Sequence, residues 1–181
     1  MMDRLIARTL FVPTLVWNLL LVRLIPTRRW WDHVDPQVIL GALPFTAHVS
    51  RLHKSGVRAV VNTCDEYAGP IAEYTQVGIE QFHMPTPDFT HPDLADVERA
   101  VEFVQSHAEQ GHTVYIHCKA GRARSATVAL CWLVRHRGLS PEEAQEKLLQ
   151  ERPHVKRTVW QRPVVTAFAD RCRQETSAAT D

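Results

Sequence analysis

The 181-residue sequence predicts a single α/β domain with a mainly parallel central sheet flanked by helices. Short apolar or β-branched runs alternate with segments of helical periodicity, which is typical of strands joined by crossover helices. The 45% hydrophobic content is enough for one core, and no second domain is needed. Because 21 basic residues nearly balance 20 acidic ones, the composition argues against nucleic-acid binding, and any anion site must arise from local clustering.

Three strands and two helices are predicted in the first half of the domain. Residues 37–40, 57–62 and 79–84 are short apolar runs typical of buried strands. Residues 46–54 and 71–76 lie between these strands and have helical character. The first of these helices is predicted to stop near Gly56, and Gly78 is predicted to open the third strand.

The second half of the domain begins with a long predicted helix that ends near Gly111. Its apolar face is formed by four residues at helical spacing: Leu94, Val97, Val101 and Val104. Thr90-x-x-Asp93 resembles a capping box at its start. A strand over 113–116 follows, and after a short loop the next helix runs as far as Gly138.

Two more helices complete the predicted domain, which spans residues 27–175. Ser140-Pro141-Glu142-Glu143 is a capping box with proline at the first helical position. A last helix is predicted over residues 160–173, interrupted early by Pro163. Residues 176–181 are predicted to be a frayed tail.

Residues 1–26 form an apolar N-terminal segment. Its central run is interrupted by Pro13 and Asn18, and it is short for a membrane span, which needs about 20 predominantly apolar residues. A helix lying on a membrane surface fits this pattern best. A targeting segment and an amphipathic helix packed on the core are the alternatives. The connector at 28–32 could contact lipid headgroups or cover an edge of the sheet.

The stretch His117-Cys118-Lys119-Ala120-Gly121-Arg122-Ala123-Arg124-Ser125 links the last predicted strand to the following helix. At a helix N-terminus, unpaired N–H groups and the helix dipole attract an anion. The predicted phosphate-binding residues are Lys119, Ala120, Gly121, Arg122, Ala123 and Arg124. Cys118 should ionise readily there, and the planar guanidinium of Arg124 matches two oxygens of a phosphate. The alternative is a buried structural thiol followed by a basic turn.

The predicted reaction is attack of the Cys118 thiolate on a phosphomonoester, with Asp88 as the acid that protonates the leaving group. Asp88 lies in a proline-rich loop after a predicted strand, whereas its rivals Asp93 and Asp96 are better explained by the helix that follows. His117 is predicted to orient the loop by hydrogen bonding, and Ser125 to stabilise the departing thiolate. The scheme needs no metal or cofactor.

The Cys-x5-Arg spacing followed by serine resembles the signature of the Cys-based protein tyrosine and dual-specificity phosphatase superfamily. Similarity over residues 10–15, 40–44 and 140–144 extends this resemblance to the mitochondrial-type dual-specificity phosphatases that act on phosphatidylglycerophosphate on the route to cardiolipin. The resemblance implies a dual-specificity phosphatase-like fold. It also implies an anionic phospholipid substrate, on which Lys119 and Arg122 would act as extra cations unless they point to solvent.

The same resemblance implies that Asp65, Glu66 and Tyr67 bind substrate, although Ala68 departs from the family pattern. It implies a location on the matrix side of the mitochondrial inner membrane in a eukaryote, or at the cytoplasmic membrane surface in a bacterium. A phosphoinositide phosphatase, or one acting on phosphotyrosine or phosphoserine proteins, is the alternative. A non-catalytic phosphate-binding adaptor is a third possibility, and the oligomeric state is not fixed by the sequence.

Overall fold

The computed structural model describes residues 2–178, and it describes side chains from residue 9 onward. Within this range the chain forms, in order, α1 (Met2–Leu24), β1 (Trp31–Asp35), β2 (Val38–Gly41), α2 (Thr46–Lys54), β3 (Val57–Cys64), α3 (Ile71–Val77), β4 (Glu80–Thr86), α4 (Leu94–Ala108), β5 (Thr113–His117), α5 (Arg124–Arg137), α6 (Pro141–Glu151) and α7 (Pro163–Ala178).

The five strands form one sheet in the order β1-β2-β5-β3-β4. The pairs β2–β5, β5–β3 and β3–β4 are parallel, and the pair β1–β2 is antiparallel, so the predicted mainly parallel sheet is confirmed. Leu40 and Ile116 point to one face, where they share a core with α4, α5, α6 and α7. Ile39 and Tyr115 point to the other face, which α2 and α3 cover. The parallel strands therefore end at a common edge, to which β5 delivers Cys118.

The antiparallel edge strand β1 was not predicted as a strand. It contains the end of the Trp-rich connector, so of the two roles considered for that segment the structure supports sheet-edge coverage. The sequence of β1 contains no apolar run, since two of its buried residues are the acids Asp32 and Asp35. Both acids form ion pairs with arginines from later in the chain, which allows them to be buried. These long-range partners are not visible in the local sequence.

The start of α4 differs from the prediction. Its N-cap is Asp93, whose carboxylate accepts a hydrogen bond from the Asp96 backbone N–H at 2.8 Å, and the capping box predicted at Thr90 is wrong. The Thr90 hydroxyl instead donates to the Pro87 carbonyl at 2.7 Å. Pro92 explains the difference, because the residue before a proline disfavours helical backbone and delays the helix start.

Helix α7 also differs from the prediction at both ends. The helix begins at Pro163 instead of being interrupted there. Proline suits this place because the first helical position needs no N–H donor. It continues through Ala178, so the predicted tail at 176 is helical at its start. The hydroxyl of Ser177 donates to the Arg173 carbonyl at 3.0 Å in this last turn. The remaining tail residues, 179–181, lie outside the described residues.

The N-terminal segment forms α1, with Pro13 inside the helix. Asn18 on this helix is buried, whereas many of its apolar side chains are exposed: Leu10, Val12, Val16, Trp17, Leu19, Leu20 and Leu24. Among the helices of residues 2–178, none has both the length and the apolar character needed to cross a membrane.

Candidate active site

A cavity of about 360 Å³ lies at the carboxyl edge of the sheet, beside the loop between β5 and α5. Side chains from three parts of the chain line it: α1 and the connector after it, the loop after β4, and the loop that carries Cys118. The predicted residues Cys118, Lys119, Arg122, Arg124 and Asp88 are all in this lining. The fold thus brings the proposed nucleophile, acid and phosphate ligands together.

Arg152, at the end of α6, holds two carbonyls of the phosphate-binding loop away from this cavity. Its guanidinium is 1% exposed and donates to the Gly121 carbonyl at 2.9 Å and to the Ala120 carbonyl at 3.1 Å. The same group forms a 2.5 Å ion pair with the buried carboxylate of Asp32 on β1. Arg152 is therefore a buried support of the loop, linking it to the edge strand.

Four other carbonyls of the loop also have partners. The pairs are His117 O with Thr63 Oγ1 at 2.9 Å, Lys119 O with Leu43 N at 3.3 Å, Arg122 O with Lys156 N at 2.9 Å, and Ala123 O with Thr127 N at 3.0 Å. These contacts fix the backbone of the loop, which is the rigidity that the predicted phosphate-binding loop requires.

Gly121 is required at the tightest point of the loop. It has a φ of +65°, and a Cβ atom placed on it would lie 2.5 Å from the backbone carbon and oxygen of Gly41. A side chain at this position would force the loop away from β2. The glycine thus permits the close approach that keeps the loop against the sheet edge.

The Cys118 sulfur is 3.2 Å from the Gly121 backbone nitrogen and 3.2 Å from the Ser125 hydroxyl, and both groups donate hydrogen bonds to it. Burial alone would raise the pKa of this thiol. The positive charge of Arg124 and the hydrogen bonds from the loop outweigh burial and lower the pKa from 9.0 to about 7. A large fraction of Cys118 is therefore thiolate at neutral pH.

Arg124 is held rigidly by Glu66, which lies just after β3. One guanidinium nitrogen donates to the Glu66 carboxylate at 2.8 Å and to the Thr86 carbonyl at 2.6 Å. Both side chains of the ion pair are 2% exposed. The other carboxylate oxygen of Glu66 accepts a hydrogen bond from the Asp88 backbone N–H at 2.7 Å. A single buried acid thus positions both the predicted phosphate ligand and the predicted acid.

The Asp88 carboxylate faces the cavity between two cations. One oxygen lies 3.1 Å from a guanidinium nitrogen of Arg124, and the other pairs with the Lys119 ammonium. That ammonium also donates to the Thr14 hydroxyl of α1 at 2.6 Å. Asp88 is therefore paired, in this structure, with two cations that an incoming phosphate would need to bind.

The extra charge predicted for Lys119 and Arg122 faces the cavity. Lys119 is buried beside Asp88, and the Arg122 Nε donates to the His154 carbonyl at 2.8 Å while its side chain lines the cavity. The alternative of a solvent-facing side chain is thus wrong for Lys119, whereas Arg122 is exposed and lines the open side of the cavity.

Asp65, Glu66 and Tyr67 are the predicted substrate-binding residues. None of the three lines the cavity. Glu66 is engaged with Arg124 and Asp88, and the Tyr67 hydroxyl donates to the Pro44 carbonyl. Glu66 therefore positions Arg124 and Asp88 in this structure, and substrate binding by Asp65, Glu66 and Tyr67 stays a prediction.

The hydrogen bond predicted from His117 is also absent. The ring is fully buried between Tyr67 and Tyr115, and neither ring nitrogen makes a hydrogen bond of standard geometry within the described part of the chain. Burial, opposed by the nearby Cys118 backbone, lowers the pKa of the imidazole to about 3. His117 is thus a neutral packing residue behind the loop.

Sequence reasoning missed several residues that build the site. Arg152 and Arg162 are separated from the motif by more than one helix, and both become buried supports of the loop. Asn18 and Arg28 reach the cavity from the N-terminal segment. Only the polar interruption of the apolar run at Asn18 was a visible signal, and the sequence analysis used it as an argument against a membrane span.

Known proteins are similar to this chain over most of its length. Residues 38–168 match the family model described as the dual specificity phosphatase catalytic domain. The chain is 39% identical over 165 residues to phosphatidylglycerophosphate phosphatase PTPMT2 of Arabidopsis thaliana, covering 90% of this chain and 72% of the relative. It is 39% identical over 159 residues to phosphatidylglycerophosphatase and protein-tyrosine phosphatase 1 of Rattus norvegicus, covering 83% of this chain and 82% of the relative.

Solved structures are similar over nearly the same region. Crystal structures of PTPMT1, alone and in complex with PI(5)P, are 32% and 31% identical to this chain, with TM-scores of 0.75 and 0.73. They cover 82% and 83% of this chain, and each is covered over 99% of its own length.

Proposed function

The chain belongs to the dual specificity phosphatase family, and from that premise we propose that it removes the terminal phosphate of phosphatidylglycerophosphate through a cysteinyl-phosphate intermediate. The carrying observation is the Cys118 sulfur, held by two donors at 3.2 Å in one cavity with Arg124 and Asp88. The choice of substrate is supported by the 39% identity to phosphatidylglycerophosphate phosphatases. The product is phosphatidylglycerol, on the route to cardiolipin.

The first chemical step transfers the phosphoryl group to sulfur. The Cys118 thiolate attacks phosphorus, the bond to the glycerol oxygen breaks, and Asp88 gives that oxygen its proton. The amides of the loop and the Arg124 guanidinium bind the phosphoryl oxygens and stabilise the charge that they carry in the transition state.

The second step restores the enzyme. Asp88, now ionised, takes a proton from water as the water oxygen attacks phosphorus, and the bond between phosphorus and sulfur breaks. Inorganic phosphate leaves, and the Cys118 thiolate is stabilised by the Ser125 hydroxyl, which lies 3.2 Å from the sulfur. This hydrogen bond makes the thiolate a better leaving group.

Substrate binding must also rearrange Asp88. Its carboxylate pairs with Arg124 and Lys119 in the structure, and a phosphate that takes over these cations displaces it. The displaced carboxyl group is then free to approach the leaving-group oxygen, to which it gives a proton in the first step.

The N-terminal helix supports a substrate held in a membrane. Val12, Trp17 and Leu24 on α1 are 63%, 60% and 73% exposed, and Phe89 on the cavity rim is 68% exposed. We infer that this apolar surface lies on the bilayer, with the cavity opening towards the lipid headgroups. The proposed location is the matrix side of the mitochondrial inner membrane in a eukaryote, or the cytoplasmic membrane surface in a bacterium.

A phosphoinositide is the second candidate substrate, because the related PTPMT1 was crystallised in complex with PI(5)P. The test compares kcat/KM for vesicles containing phosphatidylglycerophosphate, vesicles containing a phosphoinositide, and a phosphotyrosine peptide. We expect phosphatidylglycerophosphate to be preferred over both by at least about tenfold. A preference for the peptide would contradict a lipid substrate. A well-folded protein that hydrolyses none of them, nor an aryl phosphate, would favour the adaptor.

A further inference from the structure

Four cations that have no carboxylate partner among the described residues line the cavity beside Cys118. They come from the connector after α1, from the loop itself and from the segment before α7: Arg28, Arg122, Lys156 and Arg162. None of them forms an ion pair with a carboxylate among the side chains that the structure describes. Asp88 is the one acidic residue in the described cavity lining, and Lys119 and Arg124 already pair with it.

Two buried hydrogen-bond donors in the same lining have no acceptor. The Nδ2 of Asn18 and the Nε of Arg28 are both buried without a hydrogen-bond partner in the described structure, and Asn18 is 3% exposed. A 2.7 Å hydrogen bond from Arg28 Nη2 to Asn18 Oδ1 fixes the two side chains against each other. Because buried donors are normally paired, the two groups keep hydrogen-bonding capacity that an acceptor in the cavity would satisfy after a small movement of these side chains.

Arg28 and Arg122 act on the same space. Burial lowers the pKa of Arg28, and the neighbouring charge of Arg122 lowers it further. An anion between the two guanidinium groups would relieve this repulsion and accept hydrogen bonds from them. The cavity thus offers two anion sites: the Cys118 loop, and this pair of arginines with Asn18.

We propose that Asn18, Arg28 and Arg122 form a second anion subsite that binds a phosphodiester while the Cys118 loop binds the phosphomonoester. This inference rests on the proposed function, since phosphatidylglycerophosphate carries both groups on one glycerol. The subsite selects lipids that carry a phosphomonoester and a phosphodiester on one short polyol. An aryl phosphate or a phosphotyrosine side chain leaves it empty.

The position of the subsite explains how a general phosphatase fold gains this selectivity. Asn18 and Arg28 precede the region that matches the family model, which starts at residue 38. The catalytic loop is built within the matched region, whereas the second subsite needs the N-terminal helix. Helix α1 therefore contributes to substrate selection directly, in addition to contacting the membrane.

The test uses the full-length chain and soluble, short-chain phosphatidylglycerophosphate, so that membrane binding plays no part. In Arg28→Gln we expect the ratio of kcat/KM for this substrate to kcat/KM for an aryl phosphate to fall by about 10- to 100-fold, as for loss of one charged hydrogen bond. Arg23→Gln is the matched control, because Arg23 is an exposed arginine at the end of α1 that does not line the cavity. Its ratio should equal that of the wild type.

Asn18→Asp separates loss of the subsite from loss of folding. The new carboxylate would form an ion pair with Arg28, so Tm should be maintained or rise. The same carboxylate occupies the anion site, so the substrate ratio should fall as in Arg28→Gln. A lower ratio with an unchanged Tm supports the subsite, and an unchanged ratio in both variants would overturn it.

An inhibition experiment keeps this test independent of the proposed reaction. Short-chain phosphatidylglycerophosphate and glycerol 3-phosphate, which lacks the diester, are compared as inhibitors of aryl phosphate hydrolysis. In Arg28→Gln we expect the inhibition constant of the first to rise about 10- to 100-fold relative to that of the second. If the lipid inhibits in this way without being hydrolysed, the proposed function fails and the subsite stands. Equal inhibition constant ratios in wild type and variant would exclude the subsite.

Discussion

The loop around Cys118 and the rim formed by α1 and the connector after it differ in how many contacts from the rest of the chain hold their charged groups in place. In the loop, the carbonyls of Ala120 and Gly121 are held by the buried Arg152, and Arg124 is held by Glu66. On the rim, Asn18 and Arg28 keep buried donors without partners.

This difference separates the chemistry from the selection of substrate. The loop must present its donors at fixed positions when charge develops on phosphorus, and the surrounding hydrogen bonds provide that rigidity before substrate arrives. The rim can leave hydrogen-bond donors unpaired because the bound substrate supplies their acceptors. Substitutions in the loop should therefore lower turnover of every substrate, whereas substitutions on the rim should change only which substrates are used.

The largest effect is expected from Cys118→Ser, which removes the nucleophile. The kcat for phosphatidylglycerophosphate and for an aryl phosphate should both fall by at least about 10⁴-fold, because a serine hydroxyl at this position is not ionised. Release of inorganic phosphate measures both rates. Cys172→Ser, at a half-buried cysteine of α7, is the control and should retain wild-type kcat. Substantial turnover by Cys118→Ser would remove the loop from the chemistry.

Arg152→Met tests whether the supports of the loop matter for catalysis. It leaves Asp32 buried with only the exposed Arg29 as an ion-pair partner, so the free energy of unfolding should fall by about 3–5 kcal/mol. The loop carbonyls lose their donor, and kcat on all substrates should fall about 100-fold. Denaturant unfolding and steady-state kinetics measure the two effects.

Arg171→Met is the matched control for Arg152→Met. It removes an ion pair with Glu98 in which the arginine is half exposed, and it should cost no more than about 1 kcal/mol of unfolding free energy. Its kcat should equal that of the wild type. If Arg152→Met retained full activity on folded protein, preorganisation of the loop by its carbonyl partners would be disproved.

Ser125→Ala gives a smaller, pH-dependent effect. The thiolate fraction of Cys118 falls tenfold per pH unit below its pKa of about 7, so alkylation by iodoacetamide should slow in the same way. Without the Ser125 hydrogen bond the pKa rises, so the midpoint of the alkylation profile should move to higher pH. We expect kcat to fall about tenfold, because the thiolate also leaves the intermediate less readily. An unmoved midpoint would contradict this role.

The smallest effect is expected from Val16→Glu on the outer surface of α1. A charge at this 48% exposed position weakens membrane binding, so activity on vesicles should fall a few-fold while activity on a soluble aryl phosphate stays constant. Ile71→Glu introduces the same charge at a 46% exposed isoleucine on α3, away from the cavity, and should change neither activity. Equal vesicle activity in both variants would argue against α1 as the membrane contact.

The sequence predicted most of the fold and the centre of the site, because both depend on local patterns. The strand, glycine loop and helix around Cys118 are contiguous, and Asp88 follows its strand by two residues. Arg152 and Glu66 were not recognised as supports of the loop because their partners are distant in sequence. The Thr90 capping box failed because two overlapping signals, Thr90 and Asp93, compete, and Pro92 decides between them.

The central claim is that the terminal phosphate of phosphatidylglycerophosphate passes through the Cys118 sulfur. The most direct test mixes the enzyme with lipid labelled in that phosphate, stops the reaction within one turnover and maps the label on the protein. The account predicts a labelled peptide containing Cys118, with more label in Ser125→Ala, where breakdown is slower, and none in Cys118→Ser. Release of labelled phosphate with no protein-bound label at any time, or with label on another residue, would contradict it.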